Sequence, residues 1–246
     1  MKNVIIIPSR MQSSRLPGKP LADIEGLPMI VHVYHRALEA DCGDVIVAAG
    51  DKEICEVIKK HGGEAILTEP SHPSGSDRIY EALNIFDPEK NYENIINLQG
   101  DLPDIRKDAI RKIPLLLYSD ESTDISTLGA YIKSFDMGDN PNVVKAIVRD
   151  YKRSKKVDDF VRTIDDKKMR KLRRSIFHHI GVYGYRRKAL ERFVHLKQSV
   201  REKKKKLEQL RALDNNMVIS IELIDNIPVG VDTEEDLNLI RKKMGE

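Results

Sequence analysis

The chain has 246 residues, enough for one large α/β domain or two small ones with a substantial core. Hydrophobic residues make up 40% and charged residues 33%, a globular balance; no apolar run approaches the ~20 residues that cross a bilayer, and MKNVIIIPSR lacks the length and cleavage site of a secretory leader. The net charge of +3 is too small to imply a nucleic-acid partner, and Cys42 and Cys55 have neither metal-ligand spacing nor a neighbouring histidine that would activate a thiol, so they read as packing residues.

Residues 3–7, NVIII, read as a buried strand, and Pro28 stands where a helix can begin, because its missing N–H is harmless there. Between them lies PSRMQSSRLPGKPL (8–21). DVIVAAG (44–50) reads as a second strand, DKEICEVIKKHGG (51–63) as a helix capped by Asp51 and stopped by Gly62-Gly63, and EAILTE (64–69) as a third strand. The alternation continues with a helix near 76–86, a strand over 94–101, a helix near 106–117 and a strand over 125–132. Further strands lie in VVKAIV, IFHHIGVYGYR and MVISIELI, with helices in KALERFVHL and near 200–213. Thr233 and Asp236 have the spacing of a capping box for a last helix after GVDTEED. Strands separated by helices of this length imply right-handed crossovers and a largely parallel sheet covered on both faces. Without repeats or a Gly/Ser linker, a single domain over 1–246 is expected. The stretch 150–174, DYKRSKKVDDFVRTIDDKKMRKLRR, is dense in both charge signs with little apolar periodicity; it reads as a solvated excursion or flap, too poor in aromatics to stack bases.

Ligands of open parallel sheets gather outside the carboxyl ends of the strands, where the 8–21 loop sits. The guanidinium groups of Arg10 and Arg15 can fork onto phosphate oxygens and Lys19 can act as a point charge, while Gly18 and the serines let backbone N–H groups approach an anion. That combination suits a polyphosphate, although proline after Gly18-Lys19 departs from the P-loop pattern. Asp101 and Asp232 close two predicted strands and together can share a Mg²⁺ that bridges nucleotide phosphates. HPSGSDR is a polar turn leading into a helix with Arg78. His179, Tyr183 and Tyr185 take alternate positions on one strand face, and either line a polar pocket or pack as ordinary core. Glu208, Gln209 and Arg211 share a helix, a weak signal alone.

Together these pieces resemble the 3-deoxy-D-manno-octulosonate (Kdo) cytidylyltransferases, or CMP-Kdo synthetases. IIPSRMQSSRLPGKPL, PSGSDR, NLQGD, NPNVVK, HIGVYGYR, LEQLRAL and VDTEEDL follow in that family's order along the whole chain. The resemblance implies a Rossmann-like three-layer α/β/α nucleotidyltransferase fold with a mostly parallel mixed sheet, paired into a cytoplasmic homodimer. It implies a reaction passing CMP from CTP to Kdo, with release of pyrophosphate, for lipopolysaccharide synthesis. It places Pro8, Ser9, Arg10, Ser14, Arg15, Lys19, Ser74, Arg78 and Gln99 at the nucleotide, and Asp101 and Asp232 on Mg²⁺. Arg10, Arg15, Lys19, Asp101 and Asp232 would carry the catalysis, and His179, Gly181, Tyr183, Glu208 and Gln209 would surround the sugar acid. The chain departs from the family in reading AAG for ATD at 48–50, Leu102 for glutamate, Lys205 for a common glutamate, and FVRTID for FSR followed by IP. In that last segment Arg162 stands as the counterpart of the acceptor-binding arginine, with Arg173 or Arg174 as substitutes. Two alternatives remain: activation of a related sugar acid (8-amino-Kdo or a nonulosonate), or nucleotide binding without turnover.

Overall fold

A computed structural model describes residues 2–132, 140–151, 154–164 and 175–245. The chain forms two compact units, one from Met1–Arg111 with Pro228–Glu246 and one from Lys112–Ile227.

In the first unit, β1 (Asn3–Ser9) lies between β4 (Asp44–Ala49) and β6 (Asn94–Asn97), with β5 (Glu64–Leu67) beyond β4; all three pairings are parallel. Val4 to Ile7 are wholly buried, as expected for a β-branched run covered on both faces. The crossovers carry α1 (Met29–Ala40), α2 (Lys52–Lys60) and α3 (Gly75–Phe86). A hairpin unannounced by the sequence pattern, β2 (Asp23–Ile24) and β3 (Leu27–Pro28), precedes α1; its two turn residues, Glu25 and Gly26, have φ of 50° and 81°, the left-handed pair of a type I′ turn. After α4 (Lys107–Ser119), which spans the unit boundary in sequence, the first unit resumes at Pro228. The last helix, α8 (Glu234–Gly245), opens on the expected capping box: Asp236 N–H donates to Thr233 Oγ1 at 3.2 Å and Thr233 N–H to Asp236 Oδ2 at 2.9 Å. Its Leu237 and Ile240 pack with Leu16, Ile24, Met29 and Val231 into one apolar cluster.

In the second unit, β7 (Ile125–Tyr131) pairs antiparallel with β10 (Ile176–Arg186) and parallel with β11 (Ile219–Ile224). β8 (Lys145–Tyr151) and β9 (Ser154–Val161) form an antiparallel hairpin whose outer edges pair with β10 and β11, so the pairings close a circuit. The expectation of a mostly parallel sheet fails here: every pairing given except β7 with β11 is antiparallel, because a hairpin rather than a helical crossover joins β8 to β9. The stretch read as a solvated excursion supplies β9, where Phe160 is wholly buried and Val157 nearly so. Two features hide this strand from the sequence: a register shift between Ile147 and Val148 of its partner, and a lysine, Lys156, at a core position. Residues 165–174 of that stretch, Arg173 and Arg174 included, lie outside the described residues. After α5 (Arg187–His195), the long helix expected near 200–213 is instead α6 (Val200–Lys205) and α7 (Leu210–Asp214), broken where Lys206 turns left-handed at φ 52°.

Lys156 is buried because its ammonium is fully served. Its three N–H groups are shared among four oxygens: Asp120 Oδ2 at 2.7 Å, Ser220 Oγ at 2.8 Å, Thr123 Oγ1 at 3.0 Å and Ser122 Oγ at 3.1 Å. The hydrogen bond from Lys156, with those from Ser122 and Ser154, holds the Asp120 carboxyl far below the usual carboxylate range. A depressed pKa adds stability above the unfolded value of about 4 and loses it as pH falls through the folded one. Asp120→Ala, which leaves a buried ammonium without its counter-charge, is expected to cost about 3–5 kcal/mol in urea unfolding at neutral pH. Below pH ~4 the gap between variant and wild type should narrow; a gap unchanged from pH 7 to pH 3 would refute the assignment.

Candidate active site

The chain leaves β1 at Ser9, which is buried and paired with Ala49, and enters the cationic loop. Asp51 does not cap α2 through its side chain as expected; Oδ2 accepts the Met11 N–H at 2.7 Å, tying the loop to the end of β4. Gly18, at φ 70°, sends its N–H back to Met11 O at 3.3 Å and turns the chain into a 3₁₀ turn over Lys19–Leu21. Leu16 anchors the loop from below, in the same cluster as Val231.

This anchoring brings together residues distant in sequence. Lys19 Nζ lies 2.9 Å from Asp101 Oδ2 and 3.1 Å from Asp232 Oδ1, and Arg15 Nη2 lies 3.1 Å from Asp232 Oδ2. The Lys19 side chain is only 16% exposed. Burial works against its charge, but the two carboxylates outweigh burial and hold its pKa above the ordinary lysine value. Val231 N–H donates to Asp101 O at 3.0 Å, so the segments bearing the two aspartates are joined through the backbone as well. Among the described residues no group of three or more His, Cys, Asp or Glu is arranged to hold a metal. The oxygens of the Asp101–Asp232 pair converge on one cation, the Lys19 ammonium, and are of the donor class that a hard divalent ion takes.

The remaining nucleotide candidates lie in the same unit. Ser74 caps α3, accepting the Asp77 N–H at 3.2 Å. Arg78, 3% exposed, spends Nη1 on Thr68 Oγ1 at 2.6 Å and Nη2 on Pro70 O at 3.2 Å; burial and then the nearby Arg10 lower its pKa. Gly50 sits between these arginines: a Cβ there would fall 2.8 Å from Arg78 Nη1 and 3.2 Å from Arg10 Cβ. Gln99 donates to Asn97 Oδ1 at 3.2 Å, Pro8 is half-buried in β1, and Ser14 is exposed on the loop.

The acceptor candidates lie in the second unit. β10 bulges between Ile180 and Tyr183, and a Cβ on Gly181 would meet nothing within 4 Å. Thr127 fills the bulge, its Oγ1 2.8 Å from Val182 O, 3.2 Å from Ile180 O and 3.0 Å from His179 Nε2. Since carbonyls only accept, the hydroxyl proton goes to them and the imidazole donates from Nε2, leaving Nδ1 with a lone pair. Phe160, His179, Tyr183 and Tyr185 form a row of ring contacts at 4.8, 5.5 and 6.0 Å between successive centroids. Burial, then His178, pushes the His179 pKa down to about 3; burial pushes that of Tyr183 well up. Glu208 and Gln209 lie at the elbow between α6 and α7. Arg211 braces it: Nε and Nη2 reach Glu202 at 3.0 and 2.6 Å, Nη2 lies 3.7 Å from Glu208 Oε1, and the guanidinium sits 4.9 Å over the Phe193 ring. Arg162 bonds to backbone carbonyls. Its guanidinium donates to Lys205 O, Lys206 O and Pro141 O at 3.0, 3.0 and 3.1 Å, capping the C-terminal end of α6.

A model of the cytidylyltransferase family matches residues 4–222. The 3-deoxy-manno-octulosonate cytidylyltransferase of Paramagnetospirillum magneticum is 46% identical over 240 residues, covering 97% of this chain and 96% of that one. The chain belongs to the Kdo cytidylyltransferase family. The Kdo cytidylyltransferase of Nitrobacter hamburgensis is 48% identical over 246 residues, with 98% and 92% covered. A solved CMP:2-keto-3-deoxy-manno-octonic acid synthetase complexed with CTP matches this Kdo cytidylyltransferase fold with a TM-score of 0.90 at 34% identity, covering 100% of this chain and 99% of that one.

Several residues that hydrogen-bond the segments bearing these candidates give no sequence signal. Thr127 lies inside an apolar strand run, Asp51 has the look of a helix cap, and Glu202 begins what reads as a wet lysine-rich face. With its pKa near 3, His179 should remain neutral through the physiological range. Its imidazole NMR shifts are expected to stay flat from pH 5 to pH 8, with Nε2 protonated; a titration midpoint near 6 would contradict the burial argument.

Proposed function

We propose that this protein transfers CMP from CTP to Kdo, forming CMP-Kdo and pyrophosphate, and that it supplies lipopolysaccharide synthesis in the cytoplasm. The observation that carries the reading is the Lys19 ammonium between Asp101 and Asp232, with Arg15 on the second carboxylate, in a chain of this family. A Rossmann-like three-layer arrangement and a homodimer belong to the same reading, supported by the family resemblance. No helix among the described residues is long and apolar enough to cross a membrane.

Asp101 and Asp232 would hold Mg²⁺, which when bound neutralises charge on the nucleotide phosphates. Arg10, Arg15 and Lys19 line the loop where a triphosphate would lie, with backbone N–H groups of the loop and the guanidinium of Arg78 beside them. The Kdo anomeric hydroxyl attacks the α-phosphorus in line with the leaving pyrophosphate: the new O–P bond forms as the bond from the α-phosphorus to the bridging oxygen breaks, pyrophosphate leaves with that oxygen, and the hydroxyl proton passes to water. The loop cations stabilise negative charge as it gathers on the departing group. In the second unit, neutral His179 offers its Nδ1 lone pair and un-ionised Tyr183 its hydroxyl to sugar hydroxyls, and the open space at Gly181 leaves room for the ligand. Arg162 serves this acceptor site through α6, holding the elbow that presents Glu208 and Gln209.

Pyrophosphate release from CTP, Mg²⁺ and Kdo is the deciding measurement; none with Kdo but turnover with 8-amino-Kdo or a nonulosonate would change the acceptor, and none with any sugar acid would leave nucleotide binding alone. Lys19→Ala, folded by circular dichroism, is expected to lose about 2.7–4 kcal/mol of transition-state stabilisation, the range for removing one preorganised donor. Arg162→Ala is expected to raise the KM for Kdo far more than that for CTP, and equal acceptor kinetics would remove Arg162 from the acceptor side.

A further inference from the structure

The turn that carries Asp101 also carries Asp104, which the proposed chemistry does not use. Its side chain is only 7% exposed. One oxygen, Oδ1, accepts the Val229 N–H at 2.9 Å, and the other, Oδ2, lies 2.5 Å from Lys243 Nζ. Two residues beyond Val229, the Val231 N–H donates to Asp101 O at 3.0 Å. Two N–H groups of one short segment therefore grip the same turn, one through the Asp104 side chain and one through the Asp101 carbonyl. The next residue is Asp232. Lys243 lies on α8, the helix that Asp232 leads into, so Asp104 holds the segment before Asp232 and the far part of the helix after it. Val231, wholly buried, fixes the same segment from the apolar side.

We propose that Asp104 is a positioning residue: it sets the separation of the Asp101 and Asp232 carboxylates, and with it how strongly the pair takes a divalent cation together with the nucleotide. The proposal rests on the reading of these two aspartates as holders of Mg²⁺. Hydrogen-bonded supports of metal ligands act in this way, through orientation and not through contact with the ion. A stability role alone would affect folding or all ligand binding, and would not single out the metal-linked part.

The test is calorimetric and needs no turnover. CTP affinity is measured without Kdo, in Mg²⁺ and in EDTA, and the ratio of the two is the metal-linked gain. Asp104→Leu keeps the volume and removes both acceptors; its gain is expected to fall about tenfold or more, while CTP affinity in EDTA stays at the wild-type value. Asp104→Asn, which retains an oxygen for the Val229 N–H, is expected to recover most of the gain. If the leucine variant does not fold, Asp104→Ser, too short to reach Val229, replaces it with the same expectations. A wild-type gain in the leucine or serine variant, a parallel loss in Mg²⁺ and EDTA, or no recovery in the asparagine variant would each overturn the proposal. Asp101→Asn separates this from the parent reading. If that variant keeps the full gain, the aspartates are not the metal holders and both ideas fall; if it loses the gain while Asp104→Leu keeps it, only the positioning role falls.

Discussion

One ammonium group organises the first unit. Lys19 comes from the loop after the first strand, Asp101 from the turn after β6 and Asp232 from the segment before the last helix, and a single Nζ meets both carboxylates. Two carboxylates brought this close without a cation would repel each other, and burial of the lysine without carboxylates would work against its charge. Each therefore makes the others tenable, and the three segments are held together by charge. Such an arrangement stores an electrostatic preference for a cation at one point, the preorganisation that phosphoryl and nucleotidyl transfer requires.

The apolar cluster beneath makes that charge arrangement rigid. Leu16 sits one residue from Arg15 and three from Lys19, and Val231 is adjacent to Asp232; both are buried with Leu237 and Ile240 of α8. Close-packed side chains permit few alternative positions, so the polar groups above inherit the precision of the core. The second unit uses another device. There a threonine inserted in a strand bulge and a burial-neutralised histidine make a polar face inside a sheet.

The first unit was largely legible in the sequence because its strands are continuous apolar runs and its helices carry recognisable ends: a proline before α1, paired glycines after α2, and the Thr233–Asp236 box before α8. The loop cations and Asp101 could be named for the same reason, since they follow β1 and β6; Asp232, read as a strand end, lies instead well past the last strand, just before α8. The second unit resisted. β9 contains a buried lysine and faces a bulged partner, so its two-residue period is broken, and the break at Lys206 is a backbone event inside a run of lysines that all favour helix. Arg162 was marked by likeness alone; its bonds to carbonyls at the end of α6 depend on a helix boundary that the pattern did not mark. Asp51 and Asp104 are the complementary case, ordinary turn acids by sequence whose partners lie 40 and 125 residues away.

The first unit is discontinuous, since 112–227 interrupts it. A ribosome makes residues in order, so every residue of the second unit is synthesised before Asp232 and α8 exist. Until then the nascent first unit has Lys19 and Asp101 but no Asp232, and Leu16, Ile24 and Met29 lack the part of their cluster that Val231, Leu237 and Ile240 supply. The second unit, contiguous in sequence, faces no such wait. Biosynthesis thus imposes an order in which the polar face around Thr127 and His179 can be complete while the cationic loop still lacks both its second carboxylate and part of its apolar floor, and contacts spanning 213 residues close last.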